Sequence, residues 1–142
     1  MKASTLIKAG GIYNGLCALL HTGFPGIFKW NEVLALLPPD KSPFLAQPLY
    51  IMNWCLLIFW LILTWIPLFN SKALLEPGLG RTLLSSLVIF WIIRIFILQP
   101  VYIGLSVPVS WYMIGFFSIG LALFTIPLGM SIKQSGLTMS ST

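Results

Sequence analysis

The stretch of sequence that decides the fold is residues 81–104, RTLLSSLVIFWIIRIFILQPVYIG. From Thr82 to Ile103 it is almost wholly apolar, and it is long enough to cross the hydrocarbon core of a bilayer as a helix. One arginine, Arg94, stands in its middle. A guanidinium keeps its proton in proteins, and a charge at that depth is costly unless it faces the interior of a helix bundle. The stretch therefore predicts a spanning helix that carries a candidate functional residue.

The composition of the whole chain also favours lipid as the solvent. Of its 142 residues, 58% are hydrophobic and only 8% are charged, whereas a soluble domain carries about 25% charged residues. A water-soluble fold of this composition would expose large apolar patches and aggregate. The net charge of +5 is spread along the chain without a lysine-rich run. The sequence therefore indicates membrane lipids, and not nucleic acid, as the partner of its surface.

Three further apolar stretches accompany the first one. Together they predict transmembrane helices over residues 5–24, 49–69, 82–103 and 110–132. Residues 27–37 are too short to span, and their apolar residues fall at helical spacing, as in a helix that lies in the membrane interface. We therefore predict an all-α polytopic membrane protein, a single domain over residues 1–142, with four transmembrane helices and one short interfacial helix.

The placement of basic residues predicts the topology of these helices. Cytoplasmic segments of membrane proteins are enriched in lysine and arginine. With the N-terminus inside, the inner segments would hold Lys2, Lys8, Lys72, Arg81 and Lys133, and the outer segments only Lys29 and Lys41. This distribution predicts a multi-pass protein with both termini on the cytoplasmic side.

Polar residues inside the predicted spans form the candidate site. At about 1.5 Å per helical residue, these residues fall mainly in the outer half of the bundle, on the first three spans. Polar groups in lipid must find partners, so we expect them to share one pocket between helices. The predicted pocket residues are Asn14, His21, Asn53, Arg94 and Gln99.

The sequence leaves the partner of Arg94 open. The only acidic residues are Glu32, Asp40 and Glu76, and none of them lies in a predicted span. Glu32, on the interfacial helix, would form an ion pair with Arg94 if that helix dipped into the membrane. Alternatively, the amide side chains of the pocket and proline-freed carbonyls solvate the guanidinium, or an anionic ligand or lipid head group binds it.

No motif for catalysis or metal binding is present in the sequence. There is no G-x-S-x-G, no H-E-x-x-H, no glycine-rich phosphate loop and no pair of carboxylates within a span. A single histidine, His21, excludes bis-histidine haem within one chain, while a haem site with another ligand and a role as a proton carrier stay open. Packing or hydrogen bonding to Asn53 is the simplest role for it. The sequence names no catalytic residue, no metal site and no cofactor. A quinone or pigment site would need Trp60, Phe90 and Trp91 to line a cleft.

A further pattern is the order of polar, aromatic and small residues from the end of the first helix to the end of the third: His21, Phe28, Lys29, Trp30, Leu34, Leu37, Gln47, Asn53, Leu79, Gly80, Arg81, Phe90, Trp91, Arg94 and Gln99. This order resembles that in a set of small bacterial membrane proteins of four helices, similar in layout to DoxX-like proteins. The resemblance covers roughly residues 10–99, leaves the fourth helix unmatched and departs from DoxX proteins proper in the long interfacial insert after helix one. It implies architecture and a bacterial inner membrane, and it implies no redox role and no residue-specific chemistry.

Two hypotheses for function follow from the sequence. In the first, a non-enzymatic membrane protein binds a lipid or small apolar molecule in the polar pocket, or docks there as an accessory subunit to another membrane protein or to a second copy of itself. In the second, the chain is a component of a membrane oxidoreductase or isomerase, and His21 and Arg94 face a quinone-like or lipid-like substrate. The absence of a catalytic motif favours the first hypothesis.

Overall fold

The computed structural model describes residues 2–100 and 110–139. Within these residues every regular element is a helix and no strand is present. The predicted all-α fold class is therefore confirmed. The predicted end of the third span, up to residue 103, and the predicted turn at residues 105–109 lie outside the described residues.

Five α-helices account for most of the described chain. Helix α4 continues directly into a π-helical turn, and a short 3₁₀ turn precedes it. The helices are α1 (Ala3–Ile27), α2 (Trp30–Ala35), α3 (Ser42–Phe69), α4 (Leu79–Ile93) and α5 (Ser110–Met139); the 3₁₀ turn is Ala73–Leu75 and the π-helical turn is Arg94–Leu98.

The helix ends differ from the prediction at several prolines. Helix α1 passes through Pro25 and ends at Ile27, although the sequence predicted an end at residue 24. Lys29 then adopts a left-handed conformation (φ 48°), which separates α1 from α2. As a consequence, α2 is shorter than the predicted residues 27–37.

Helices α3 and α5 are longer than predicted. Helix α3 begins at Ser42 instead of residue 49 and so includes Pro48, which precedes the predicted start of this span. A second proline, Pro43, suits a helix start, because its missing N–H would have no partner in the first turn. Helix α5 continues to Met139 and so includes residues beyond the predicted end at 132.

In the described part of the chain, three helices are long and apolar enough to cross a membrane: Ser42–Phe69, Leu79–Leu98 and Trp111–Ser135. Large apolar side chains are exposed along them, for example Trp65 at 61% and Phe96 at 68%. Such a surface is unfavourable in water and favourable in lipid. Helix α1 falls outside this set because small and polar residues interrupt its apolar surface.

Helix α1 lies at the centre of the bundle. It packs against α3 on one side and against α5 on the other, and α4 packs against α5. Aromatic side chains bridge α3 and α4: the ring centroids of Phe59 and Phe90 lie 5.4 Å apart, and those of Trp60 and Trp91 lie 5.5 Å apart. Trp91 is fully buried. The core therefore lies around α1, and the faces of α3 and α4 form a groove that aromatic rings close in part.

Glycine allows the close approach of α1 and α3. A Cβ atom built on Gly11 would lie 2.9 Å from Leu68 Cγ and 3.1 Å from both the Leu68 nitrogen and the Thr64 carbonyl oxygen. Two of these three atoms belong to the backbone of α3 and cannot move independently. One turn further along α1, a Cβ atom on Gly15 would meet the side chain of Thr64, with 3.3 Å to its Cγ2 atom. Small residues of this kind let membrane helices pack backbone to backbone.

Substitution of Gly11 tests this contact. Gly11→Ala should lower the free energy of unfolding by about 1–3 kcal/mol, as overpacking of a close contact does. Gly115→Ala is the matched control, because a Cβ atom there meets no atom within 4 Å. The control should leave stability unchanged or raise it by up to about 1 kcal/mol through helix propensity. Denaturant unfolding in mixed micelles measures both, and equal effects of the two substitutions would contradict the packing described here.

Candidate functional site

A cavity of about 330 Å³ lies between the helices, near the end of the bundle where α1 leads into α2. Its wall is mainly apolar and aromatic, and its polar or charged residues are His21, Asn53 and Arg94. The apolar lining comes from α1, α2, α3, α4, the π-helical turn and α5: Cys17, Leu20, Phe24, Trp30, Leu49, Met52, Leu56, Phe59, Trp60, Phe90, Leu98, Met113, Phe116 and Phe117.

His21 and Asn53 are joined by two hydrogen bonds across the α1–α3 contact. Asn53 Nδ2 donates to the backbone carbonyl of His21 at 3.0 Å, and Asn53 Oδ1 lies 3.2 Å from His21 Nδ1. The carbonyl of His21 has no helical donor, because the residue four positions later is Pro25. Asn53 therefore supplies the hydrogen bond that a proline removes from α1.

Asn14 does the same for α3. Its Nδ2 donates to the carbonyl of Leu63 at 2.8 Å. Pro67, four residues after Leu63, cannot supply the helical N–H. Asn14 is fully buried and is not among the residues that line the cavity. The structure thus places this predicted pocket residue in a helix–helix contact, one reciprocal to the contact made by Asn53.

Arg94 lies on the cavity wall at the first position of the π-helical turn. The backbone N–H of Gln99 bonds to the Arg94 carbonyl, five residues back, as the wider turn requires. Pro100, which follows, has no N–H and cannot continue the regular pattern. The guanidinium carbon of Arg94 lies 4.3 Å from the centroid of the Phe117 ring. That distance is typical of a cation–π contact.

The remaining predicted site residues lie elsewhere. Gln99 is buried but is not on the cavity wall. Glu32, which the sequence offered as an ion-pair partner of Arg94, lies 3.2 Å from Lys29 Nζ, and the side chains of both residues are more than two-thirds exposed. Tyr50 and Asn31 share a hydrogen bond that fixes α2 to the start of α3. Helix α2 therefore stays at the rim, and its glutamate pairs with Lys29.

Sequence reasoning missed two parts of the structure. It placed the pocket on the first three spans, whereas α5 contributes Met113, Phe116 and Phe117 to the wall. It also missed a polar network at the opposite end of the bundle. The sequence indicates the α5 residues only weakly, through aromatic side chains that alternate with small residues along this helix.

The polar network at the opposite end is centred on Arg81. Its Nε donates to Ser131 Oγ at 2.9 Å, and its Nη2 donates to the Ser131 carbonyl at 3.0 Å and to Ser135 Oγ. Ser131 Oγ in turn donates to the Leu75 carbonyl at 2.7 Å. The network ties together the start of α4, the C-terminal part of α5 and the 3₁₀ turn. It holds the bundle closed at the end away from the cavity.

The chain matches no protein family, no curated protein and no solved structure. The resemblance to DoxX-like proteins therefore stays a prediction. The fold and the site define a class of protein. Over residues 2–100 and 110–139 the chain is helical, with three candidate membrane spans, and a cavity with a cation and several aromatic rings on its wall lies beside a central helix.

The role of Asn14 can be tested with a double-mutant cycle. Asn14→Ala should lower the free energy of unfolding by about 1–3 kcal/mol, because the Leu63 carbonyl loses its donor. In a Pro67→Ala background the cost should be smaller by about 0.5–1.5 kcal/mol, because an alanine at that position brings a backbone N–H to the same carbonyl. Unfolding of the four proteins in mixed micelles gives the coupling.

A Pro48→Ala background is the control for this cycle. Pro48 lies in the same helix, and its replacement adds no donor to a carbonyl that Asn14 contacts. The cost of Asn14→Ala should therefore be unchanged there. Strict additivity of Asn14→Ala and Pro67→Ala would show that the amide does not replace the missing helical hydrogen bond.

Proposed function

We propose that the protein is a multi-pass membrane protein that binds an amphipathic, lipid-like molecule in the cavity between α1, α3, α4 and α5. The single observation that carries the proposal is the cavity itself: about 330 Å³, with aliphatic and aromatic side chains on most of its wall and a permanent cation and a hydrogen-bonding pair on the rest. Apolar cavities with a few placed polar groups are the usual form of small-molecule sites.

The proposed membrane arrangement has four spans and α2 at the interface. Helix α1 has 25 residues, or roughly 37 Å at 1.5 Å per residue, which is enough to cross a bilayer. Its position between α3 and α5 buries Asn14 fully and His21 in part, two of the polar residues that make it the least apolar of the four helices. The distribution of lysine and arginine supports cytoplasmic termini, and the resemblance to small bacterial proteins supports a bacterial inner membrane.

The charge of the cavity favours an anionic or carbonyl group on the ligand. Arg94 contributes a full positive charge to the wall, and no acidic residue of the described chain lines it. The three acidic residues of the sequence are Glu32, Asp40 and Glu76, all outside the predicted spans. A positive site with apolar surroundings attracts a negatively charged group more strongly than the same cation in water does.

A second recess beside the cavity can hold the apolar part of the ligand. This recess of about 160 Å³ lies between α3 and α4, and it shares Phe59 and Phe90 with the main cavity. Its other lining residues are Leu63, Ile66, Leu83, Ser86 and Leu87. A molecule whose polar end meets Arg94 can therefore extend an apolar chain along the α3–α4 groove towards the lipid.

Arg94→Met tests the proposal. Protein extracted in mild detergent should retain anionic lipid, identified by mass spectrometry of the bound fraction, and the variant should retain about tenfold less or lower still. The reason is that a hydrogen bond to a charged group contributes about 1.5–3 kcal/mol. Lys41→Met, which removes an exposed cation at the start of α3, should change retention by less than about twofold. Equal retention by both variants would rule out the site.

The stability of Arg94→Met gives a second measurement. Replacement of a buried charge by an apolar residue is often neutral or stabilising. In lipid-free detergent the variant should therefore unfold at the same temperature as the wild type or at a higher one. A large decrease would show that Arg94 serves the packing of the bundle and not a ligand.

A quinone-like ligand is the second candidate, and with it a role in a membrane oxidoreductase or isomerase. Trp60 and Phe90, two of the three rings that the sequence required for such a site, line the cavity beside His21 and Arg94. The third, Trp91, is fully buried behind them. Organic extraction of the purified protein followed by ultraviolet spectroscopy separates the two candidates, because a quinone would absorb where a phospholipid does not.

A further inference from the structure

The hydrogen bonds of Asn53 fix the orientation of its amide group. Its Nδ2 donates to the His21 carbonyl, which Pro25 has left without a helical donor. The opposite orientation would bring the amide oxygen against that carbonyl oxygen, and neither atom carries a hydrogen. Asn53 Oδ1 is therefore the atom that lies 3.2 Å from His21 Nδ1. An amide oxygen can only accept, so Nδ1 is the nitrogen that donates.

The other ring nitrogen of His21 is then an acceptor. A neutral imidazole carries one N–H, and with that hydrogen on Nδ1 the Nε2 atom offers a lone pair. The ring lies against Phe24 and near Trp60, with centroids at 4.3 and 6.1 Å, and the residue lines the cavity. Within residues 2–100 and 110–135, no side chain or backbone group donates to Nε2.

The cavity wall therefore carries two different hydrogen-bonding functions. Arg94 has five N–H groups, no acceptor and a permanent positive charge. His21 Nε2 has the opposite character, a neutral acceptor that needs a hydroxyl or N–H donor. A ligand that binds both the Arg94 guanidinium and His21 Nε2 must combine a negatively charged oxygen with a hydrogen-bond donor. A donor that is itself cationic would be repelled by Arg94, so a neutral hydroxyl fits best.

We propose that the ligand is an anionic amphiphile whose head group also bears a hydroxyl, such as a phosphodiester esterified to glycerol. The phosphate oxygen accepts from Arg94, and the hydroxyl donates to His21 Nε2. This assignment rests on the proposed lipid-binding function and narrows it. Phosphate or carboxylate groups without a hydroxyl leave Nε2 unsatisfied, and choline or ethanolamine head groups place a cation beside Arg94.

The wild-type protein itself provides the first test. Phosphatidylglycerol and phosphatidylpropanol with identical acyl chains carry the same single negative charge and differ only in the head-group hydroxyls. Titration of lipid-free protein with each, followed by native mass spectrometry, should show phosphatidylglycerol binding about threefold to tenfold more tightly, the factor expected for one neutral hydrogen bond. Equal affinities would overturn the inference and leave the proposed function standing.

A variant of His21 provides the second test. In His21→Asn the shorter amide can still donate to Asn53 Oδ1 from the position of Nδ1, whereas nothing replaces Nε2. The preference for phosphatidylglycerol should disappear, while both lipids still bind. Thr22→Val is the control, because the Thr22 hydroxyl bonds to the carbonyl of Leu19 on its own helix. That variant should keep the preference.

The outcomes separate the inference from the proposal on which it rests. The proposed function would be overturned if neither lipid binds the wild-type protein saturably. It would also be overturned if Arg94→Met changes the binding of neither lipid. A preference that persists in His21→Asn would overturn the assignment of Nε2. If His21→Asn does not fold, the comparison of the two lipids on the wild-type protein decides the inference.

Discussion

The structure depends on two asparagines that replace hydrogen bonds lost at prolines. Asn53 of α3 donates to the His21 carbonyl that Pro25 frees on α1, and Asn14 of α1 donates to the Leu63 carbonyl on α3. A backbone carbonyl without a donor is costly away from water, and most of all in lipid. Because each amide bonds to a carbonyl of the other helix, the two antiparallel helices are joined by hydrogen bonds at two levels. The glycine contact between them brings the backbones close enough for these short side chains to reach.

The same arrangement places the functional groups of the cavity. Asn53 contacts both the backbone carbonyl and the Nδ1 atom of His21, and these contacts orient the imidazole on the α1 wall. On the opposite wall, the π-helical turn begins at Arg94, whose guanidinium lies over the Phe117 ring. π-Helical turns cost helical regularity and recur at functional sites. Prolines near the helix ends thus shape both walls, one through a freed carbonyl and the other through a widened turn.

The sequence predicted the fold class and part of the site. Hydropathy and the lengths of the apolar stretches were enough for an all-helical chain, and the polar residues of the spans included all three polar residues of the cavity wall. Asn14, predicted to line the pocket, lies in the contact between α1 and α3, because spacing shows which face a residue shares and not which neighbour it meets. Helices α1 and α3 include Pro25 and Pro48, which lie outside the predicted spans, because interhelical packing outweighs the local preference against proline.

The contribution of α5 and the network around Arg81 lay beyond sequence reasoning, since both depend on how distant helices are rotated against each other. That network gives Arg81 a structural role in addition to its predicted role as a topology signal. A cation that only orients a loop can be a lysine or shift along the chain without consequence. Arg81 instead uses the fork of its guanidinium on Ser131 and Ser135, a geometry that an ammonium group lacks. In the proposed topology, one residue thus serves both as an orientation signal and as a link between three segments, and the two duties cannot be changed independently.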